Sequence, residues 1–354
     1  MTCTGCEILP QLPLGSGTFY VAAPLAHTHK TLRDLGLPAT EPTSDVIGFV
    51  VAAQALPDCL AKLAAALSAP EIEGARAVFV PAGGEFGLSQ LMNTQPLRAF
   101  IGRMQAAALI EMIDSNRLLC HFQPLVLAAT PNVVFAYECL LRGRAPDGSL
   151  VYPDKLFGLA RSAEMLFHLD RSARLTALKQ QEEFGIDLPI FINFNPTAIY
   201  DPAYCLRTTI AAAEKSKRDP GSFVFEVIES DSMSDVGHLL RILDKYRSAG
   251  FRVALDDLGA GFGSLNLLSS LRPDFVKFDR ELVRNVYQDP YKGSVLGKLL
   301  EMSRDLGVQT VAEGVETYEE WEWVRDRGVD YVQGYFFARP ASPPPLPRPL
   351  ESAA

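Results

Sequence analysis

The chain has 354 residues, 48% of them hydrophobic and 21% charged, with a formal net charge of −9. That content supports a sizeable core without disulfide staples, and the length suits about two domains. Net negative charge with no basic stripe argues against a nucleic-acid polymer as partner, because Lys and Arg must neutralise many phosphates. No apolar run approaches the roughly 20 residues that cross a bilayer, so no membrane insertion is expected. The first residues carry no basic segment followed by an apolar one, and the chain reads as cytoplasmic.

Cys3 and Cys6 have the spacing of half a zinc site or a redox pair, and His27 and His29 could complete a metal set. The alternative is surface or packed thiols at an end that frays. Cys59, Cys120, Cys139 and Cys205 read as buried free thiols. Thr18 to Ala23, Asp45 to Ala53 and Ala75 to Pro81 read as strands. Leu25 to Leu35 and Pro57 to Leu67 read as helices between them. Residues 1–95 therefore form a small α/β domain, expected from its position to regulate or sense.

Pro96 stands where a helix should start, and Leu97, Phe100, Ile101, Met104 and Ala108 follow at helical spacing. This helix, running to about Ser115, is expected to cover one end of the next domain or to carry a signal into it. From Leu118 one theme repeats: a short apolar strand, a polar loop, an amphipathic helix. Strands are expected at 118–126, 133–141, 189–194, 222–228, 251–256, 274–278, 308–312 and 329–335. Helices fit between most of them, as at Val236 to Ala249 and Lys292 to Leu306. Eight such strands suit a (β/α)8 TIM barrel. The turn Ala128 to Asn132 is too short for a crossover helix, so the first two strands should be antiparallel. The fold class is α/β, a modified barrel with an antiparallel first strand over residues 96–340, preceded by the small domain. Residues 341–354 are proline-rich and are expected to be a disordered tail.

In such barrels function gathers at the strand ends. Glu138, Asn193, Glu226, Glu229, Asp256, Asp257, Lys277, Asp279, Glu313, Glu316 and Gln333 all fall in or at the ends of expected strands. One acid there is ordinarily a cap or a loop anchor. Several carboxylates converging on one mouth repel each other, and divalent cations relieve that repulsion. An oxygen-rich set suits Mg²⁺ or Mn²⁺, and no Cys/His cluster in the barrel favours zinc. The adjacent acids Asp256 and Asp257 suggest two metals sharing ligands.

Residues from about 98 to 340 resemble the EAL domain, the cyclic-di-GMP phosphodiesterase family. The signature stands here as Glu138-Cys139-Leu140-Leu141-Arg142, preceded by Gln123-Pro124. Asp256-Asp257-Leu258-Gly259-Ala260-Gly261, Lys277-Phe278-Asp279, Ala312 to Glu316 and Gln333-Gly334-Tyr335 follow in order. The resemblance implies a first metal held by Glu138, Asn193, Glu226 and Asp256. It implies a second held by Asp256, Asp257 and Glu313. Lys277 would orient the attacking water or stabilise phosphate charge, with Glu313 as ligand or base. Gln333 would fix a water, and Arg142 would grip the other phosphate. Gln123, Leu140 and Asp279 would contact the substrate. Glu229 and Glu316 would support the loop 257–263 and the site wall. The implied reaction is two-metal hydrolysis of cyclic-di-GMP to linear 5′-pGpG, in a homodimer formed through the barrel. The alternative is a receptor or protein-interaction module that holds the ligand without turnover. Cys139, Ile228, Leu258, Ala260, Phe262, Gly263 and Asn195 depart from the family pattern, and none of them removes an implied ligand.

Overall fold

The computed structural model describes residues 9–228, 235–259 and 264–349, in two compact units. The first comprises Met1–Arg117 with Ala145–Leu169, and the second Leu118–Arg144 with Asp170–Ala354.

The first unit is built on a five-stranded sheet, β1 Gly17–Ala22, β2 Ala39–Thr43, β3 Val46–Val51, β4 Arg76–Pro81 and β5 Gln95–Pro96, in the order β2-β3-β1-β4-β5. All its pairings are antiparallel. Alternation in β1 puts Phe19 and Val21 into the core, where Leu32, Leu56, Leu60 and Leu63 of two helices cover them. Helix Leu97–Gln105 joins the same core through Leu97, Phe100 and Ile101, with the Phe100 ring edge-on to Phe19 at 5.0 Å. The sequence assigns this helix to the second domain; its apolar face instead packs into the first unit. Gly102 lets it approach helix Pro153–Ser162, since a Cβ there would stand 2.0 Å from the Ser162 carbonyl oxygen.

The second unit is the expected modified TIM barrel. Its strands are β6 Leu118–Leu127, β7 Val134–Arg144, β8 Ile190–Asn193, β9 Phe223–Ile228, β10 Arg252–Leu258, β11 Phe275–Phe278, β12 Gln309–Ala312 and β13 Tyr331–Val332. They run in the order β6-β13-β12-β11-β10-β9-β8-β7, and the β6–β7 pairing closes the ring. β6 is antiparallel to both neighbours, and every other pairing around the ring is parallel.

Each strand gives one residue to a buried layer inside the barrel: Leu125, Ala136, Phe191, Val224, Ala254, Phe275, Val311 and Tyr331. Side chains alternate along a strand, so the residue two positions on points the same way. That residue is Glu138, Asn193, Glu226, Asp256, Lys277, Glu313 and Gln333 in turn. On the reversed strand β6 it is Gln123, two positions before Leu125. An apolar floor thus carries a polar ring directly above it.

The proline-rich segment expected to be a disordered tail is ordered through residue 349. Ala341 exchanges backbone hydrogen bonds with Phe122 at 2.8 and 3.1 Å, and the Arg348 N–H donates to Phe337 O at 2.9 Å. The Tyr137 hydroxyl donates to Pro345 O at 3.1 Å. Proline cannot donate to a ladder, but its carbonyl still accepts, and an extended strap needs no internal hydrogen bonds.

Candidate active site

Lys277 stands at the centre of the polar ring. Its ammonium lies 2.6 Å from Glu313 Oε1, 2.9 Å from Glu226 Oε1, 3.3 Å from Asp256 Oδ1 and 3.5 Å from Glu138 Oε2. The Asn193 amide donates to Glu138 Oε1 at 3.0 Å and Glu226 Oε2 at 3.2 Å. On the far side, the Gln333 amide donates to Glu138 Oε2 at 2.8 Å and Gln123 Oε1 at 3.1 Å. Gln123 in turn donates to the Ala338 carbonyl at 3.3 Å.

Asp256 and Asp257 are consecutive, and strict alternation would send their side chains to opposite faces. The strand register shifts between Leu255 and Leu258, and Asp257 adopts φ +56°. This bulge brings both carboxylates to one site. Oxygens of Glu138, Glu226 and Asp256 lie within 4.8 Å of one another, as do those of Asp256, Asp257 and Glu313. Two acidic groups therefore share Asp256.

The electrostatics follow from five carboxylates facing one buried ammonium. Burial alone would push Lys277 down, but Asp256, Glu138, Glu226 and Glu313 outweigh it and hold its pKa well above the ordinary value. Burial lifts Glu226 and Glu313 well above the carboxylate range, and lifts Asp256 as well. Burial, then the neighbouring Asp256, pushes Asp257 up to about 6. Glu138 moves down: burial opposes its charge, but Lys277, Gln333 and Asn193 together prevail. One ammonium does not balance the charge of five carboxylates. Divalent cations fit these residues on that ground, and the all-oxygen donor set suits Mg²⁺, Mn²⁺ or Ca²⁺. With a cation bound, the Asn193 amide would rotate to present its oxygen, because its nitrogen now faces the acids.

The pocket over this ring is lined by Gln123, Glu138, Asp257, Asp279, Glu313, Glu316 and Gln333 with Arg280, Gly314, Gly334 and Tyr335. Asp279 also caps the helix Arg280–Val283, accepting from the Glu281 N–H at 2.8 Å. Gly314 has φ +62°, and a Cβ there would meet Arg280 Cγ at 2.1 Å, so only glycine lets Arg280 form this wall.

Of the residues singled out in the sequence, the structure gathers Gln123, Glu138, Asn193, Glu226, Asp256, Asp257, Lys277, Glu313 and Gln333, with Asp279 and Glu316 on the wall. Leu140 and Arg142 stand apart from that wall. β7 pairs with β8 as far as Cys139, and the β6–β7 ribbon continues beyond it. Leu140 and Arg142 share the face of Glu138, roughly 7 and 13 Å further along the strand at about 3.3 Å per residue. Arg142 is buried, and its Nη1 donates to the Leu141 carbonyl at 2.8 Å. Cys139 points away from Glu138 into a buried contact with Cys120, and burial raises its thiol well above the ordinary value. Glu229, Cys3 and Cys6, and the loop beyond Gly259, lie outside the described residues. His27 contacts Glu71 at 3.3 Å, and His29 is buried. Arg280 and Tyr335 were not legible as wall residues, although each adjoins a recognised motif, Lys277-Phe278-Asp279 and Gln333-Gly334.

The sequence model of the EAL domain family matches residues 106–340. A probable cyclic di-GMP phosphodiesterase, PdeG of Escherichia coli, is 28% identical over 234 residues, covering 65% of this chain and 46% of the relative. The chain thus spans less than half of that relative's length. The crystal structure of a standalone EAL protein from Vibrio cholerae, in its c-di-GMP-bound form, is 34% identical. It superposes with a TM-score of 0.60 over 67% of this chain and 98% of that one. Klebsiella pneumoniae BlrP1, solved as a manganese/cy-diGMP complex, covers 92% of this chain and 96% of its own with a TM-score of 0.57. At 22% identity it shares the fold. No helix among the described residues is long and apolar enough to cross a membrane.

Proposed function

The chain belongs to the EAL-domain family, and from that membership we propose that it hydrolyses cyclic-di-GMP to linear 5′-pGpG with divalent metal. The observation that carries this is the pair of acidic groups sharing Asp256 around Lys277, with every implied ligand present. Glu138, Asn193, Glu226 and Asp256 would hold one cation, and Asp256, Asp257 and Glu313 the other. Mg²⁺ or Mn²⁺ bound there would supply Lewis acidity toward water and toward a phosphodiester oxygen.

The protein's own groups do the rest. Glu313, beside the Lys277 ammonium, takes the proton that the attacking water loses. The water oxygen bonds to phosphorus, the bond from phosphorus to the 3′-oxygen breaks, and that oxygen leaves in line and takes a proton from solvent to become the 3′-hydroxyl. Lys277 offsets charge gathering on the phosphate, its orientation fixed by four carboxylates. Gln333 and Gln123 hold one side of the pocket rigid through their mutual hydrogen bond. Arg142 meets the second phosphate with a guanidinium fork, the group whose paired N–H donors suit phosphate oxygens. Asp279 and Leu140 flank the guanine bases, and Glu316 shapes the wall. Residues 1–95 regulate this reaction, and the barrels pair as a homodimer. Light scattering that gives a monomer under turnover conditions would contradict that pairing.

Incubation of the full chain with cyclic-di-GMP and Mg²⁺ or Mn²⁺ should yield pGpG by chromatography. Bound but uncleaved nucleotide with either metal would overturn the reading in favour of a receptor.

A further inference from the structure

One buried ion pair lies behind the ring rather than in it. Asp170 and Arg174 sit one turn apart on helix Leu166–Glu183, with relative exposures of 2% and 0%. Arg174 Nη1 donates to Asp170 Oδ2, and its Nε donates to Thr209 Oγ1 at 3.2 Å. The other carboxylate oxygen, Asp170 Oδ1, accepts from the backbone N–H of Asn195 at 2.8 Å.

That N–H lies two residues beyond Asn193, where the strand has run out of partners. β8 pairs with β7 only as far as Ile192, and Asn193 itself is registered on β9 alone, opposite Glu226. Several hydrogen bonds among the described residues hold the turn that follows, and three of them bear on where it starts. Phe194 N–H donates to Glu226 O at 3.1 Å, Asn195 N–H donates to Asp170, and the Asn195 side chain accepts from Thr197 N–H at 2.9 Å. Of these three, the Asp170 bond is the one that runs from the turn to a helix outside the barrel wall. Breaking a buried charge pair is costly, so the anchor is stiff.

We propose that Asp170 is a positioning residue: through the Asn195 N–H it sets the end of β8 and so aims the Asn193 amide between Glu138 and Glu226. Arg174 and Thr209 hold Asp170 in place. This rests on the metal-dependent reading above and adds a second layer to it, since groups that orient a ligand typically change metal affinity by about 10–100-fold.

Two charge-free variants of the full chain separate aim from stability. Asp170→Asn/Arg174→Gln keeps an acceptor for the Asn195 N–H, and Asp170→Leu/Arg174→Gln removes it. Mn²⁺ affinity, read by electron paramagnetic resonance of the free ion, should stay near wild type in the first and fall about tenfold or more in the second. Should the Leu variant fail to fold, Asp170→Glu keeps the charge for Arg174 but moves the acceptor by one methylene, and should weaken Mn²⁺ likewise. Wild-type affinity in the folded Leu variant, or in Asp170→Glu where that is the one that folds, would overturn the positioning role while leaving the metal site standing. A wild-type chain that binds no Mn²⁺ would overturn the metal-dependent reading, and this proposal with it.

Discussion

Lys277 Nζ lies 2.6 Å from Glu313 Oε1, the shortest of its four carboxylate contacts. One buried ammonium therefore serves acids contributed by β7, β9 and β10 and by the end of β12. The same acids are the proposed metal ligands, so the ammonium and the cations share the task of compensating their charge.

Replacing Lys277 by Met removes that charge and leaves the acids facing one another. Losing one partner of a buried ion pair costs about 3–5 kcal/mol, so the variant should melt well below wild type in a chelator. Mn²⁺ should then raise its melting temperature by more than it raises that of wild type. Equal rises in thermal unfolding would show that the ammonium does not share this task.

Asp257 gives a pH dependence with a definite sign. Its pKa is pushed up to about 6, from an ordinary value of 3.8. A carboxyl raised by folding binds its proton more tightly in the folded state. Asp257's contribution to the stability of the metal-free protein should therefore fall as pH climbs through that window and level off above it. A cation competes with the same proton, so Asp257's contribution to Mn²⁺ affinity should strengthen as pH rises to about 6 and then flatten. Calorimetric titration across that range checks this. Asp257→Asn should bind Mn²⁺ more weakly and lose this part of the pH dependence.

Gly314→Ala tests the wall. The left-handed φ and the close approach of Arg280 both oppose a side chain there. The strain should cost about 1–3 kcal/mol. Because Glu313 is the preceding residue, turnover should fall as well. Unchanged melting and turnover would contradict the requirement for glycine.

The proline-rich strap should stabilise the strands that carry Gln123 and Glu138. Tyr137→Phe removes one hydrogen bond to Pro345 and should cost about 1 kcal/mol. Ending the chain at Pro340 removes the Ala341 and Arg348 bonds as well and should cost about 2–4 kcal/mol by denaturant titration. A truncated chain as stable as the full one would mean that the strap is ornament.

The barrel was legible because its period is regular. Seven strands place an apolar core residue two positions before a polar ring residue, as in Phe191-Ile192-Asn193 and Phe275-Val276-Lys277. The short turn at Ala128 to Asn132 also announced the antiparallel strand correctly. What escaped has local causes. Alternation alone would separate Asp256 from Asp257, and the bulge that unites them has no glycine at the left-handed position to signal it. Asp170 lies on a helix far from any strand end, and only the fold brings it to Asn195. The strap reads as low complexity because proline composition says nothing about a groove that accepts it. Helix Leu97–Gln105 shows an apolar face clearly, but periodicity cannot say which core it covers.

The central claim is that this ring hydrolyses a phosphodiester. Turnover of cyclic-di-GMP in ¹⁸O-labelled water with Mn²⁺, read by mass spectrometry, tests it most directly. The account predicts pGpG carrying a single ¹⁸O on its 5′-phosphate, and none from Glu138→Ala. Cyclic dinucleotide recovered intact from a saturated wild-type protein, or a linear product without the label, would contradict it.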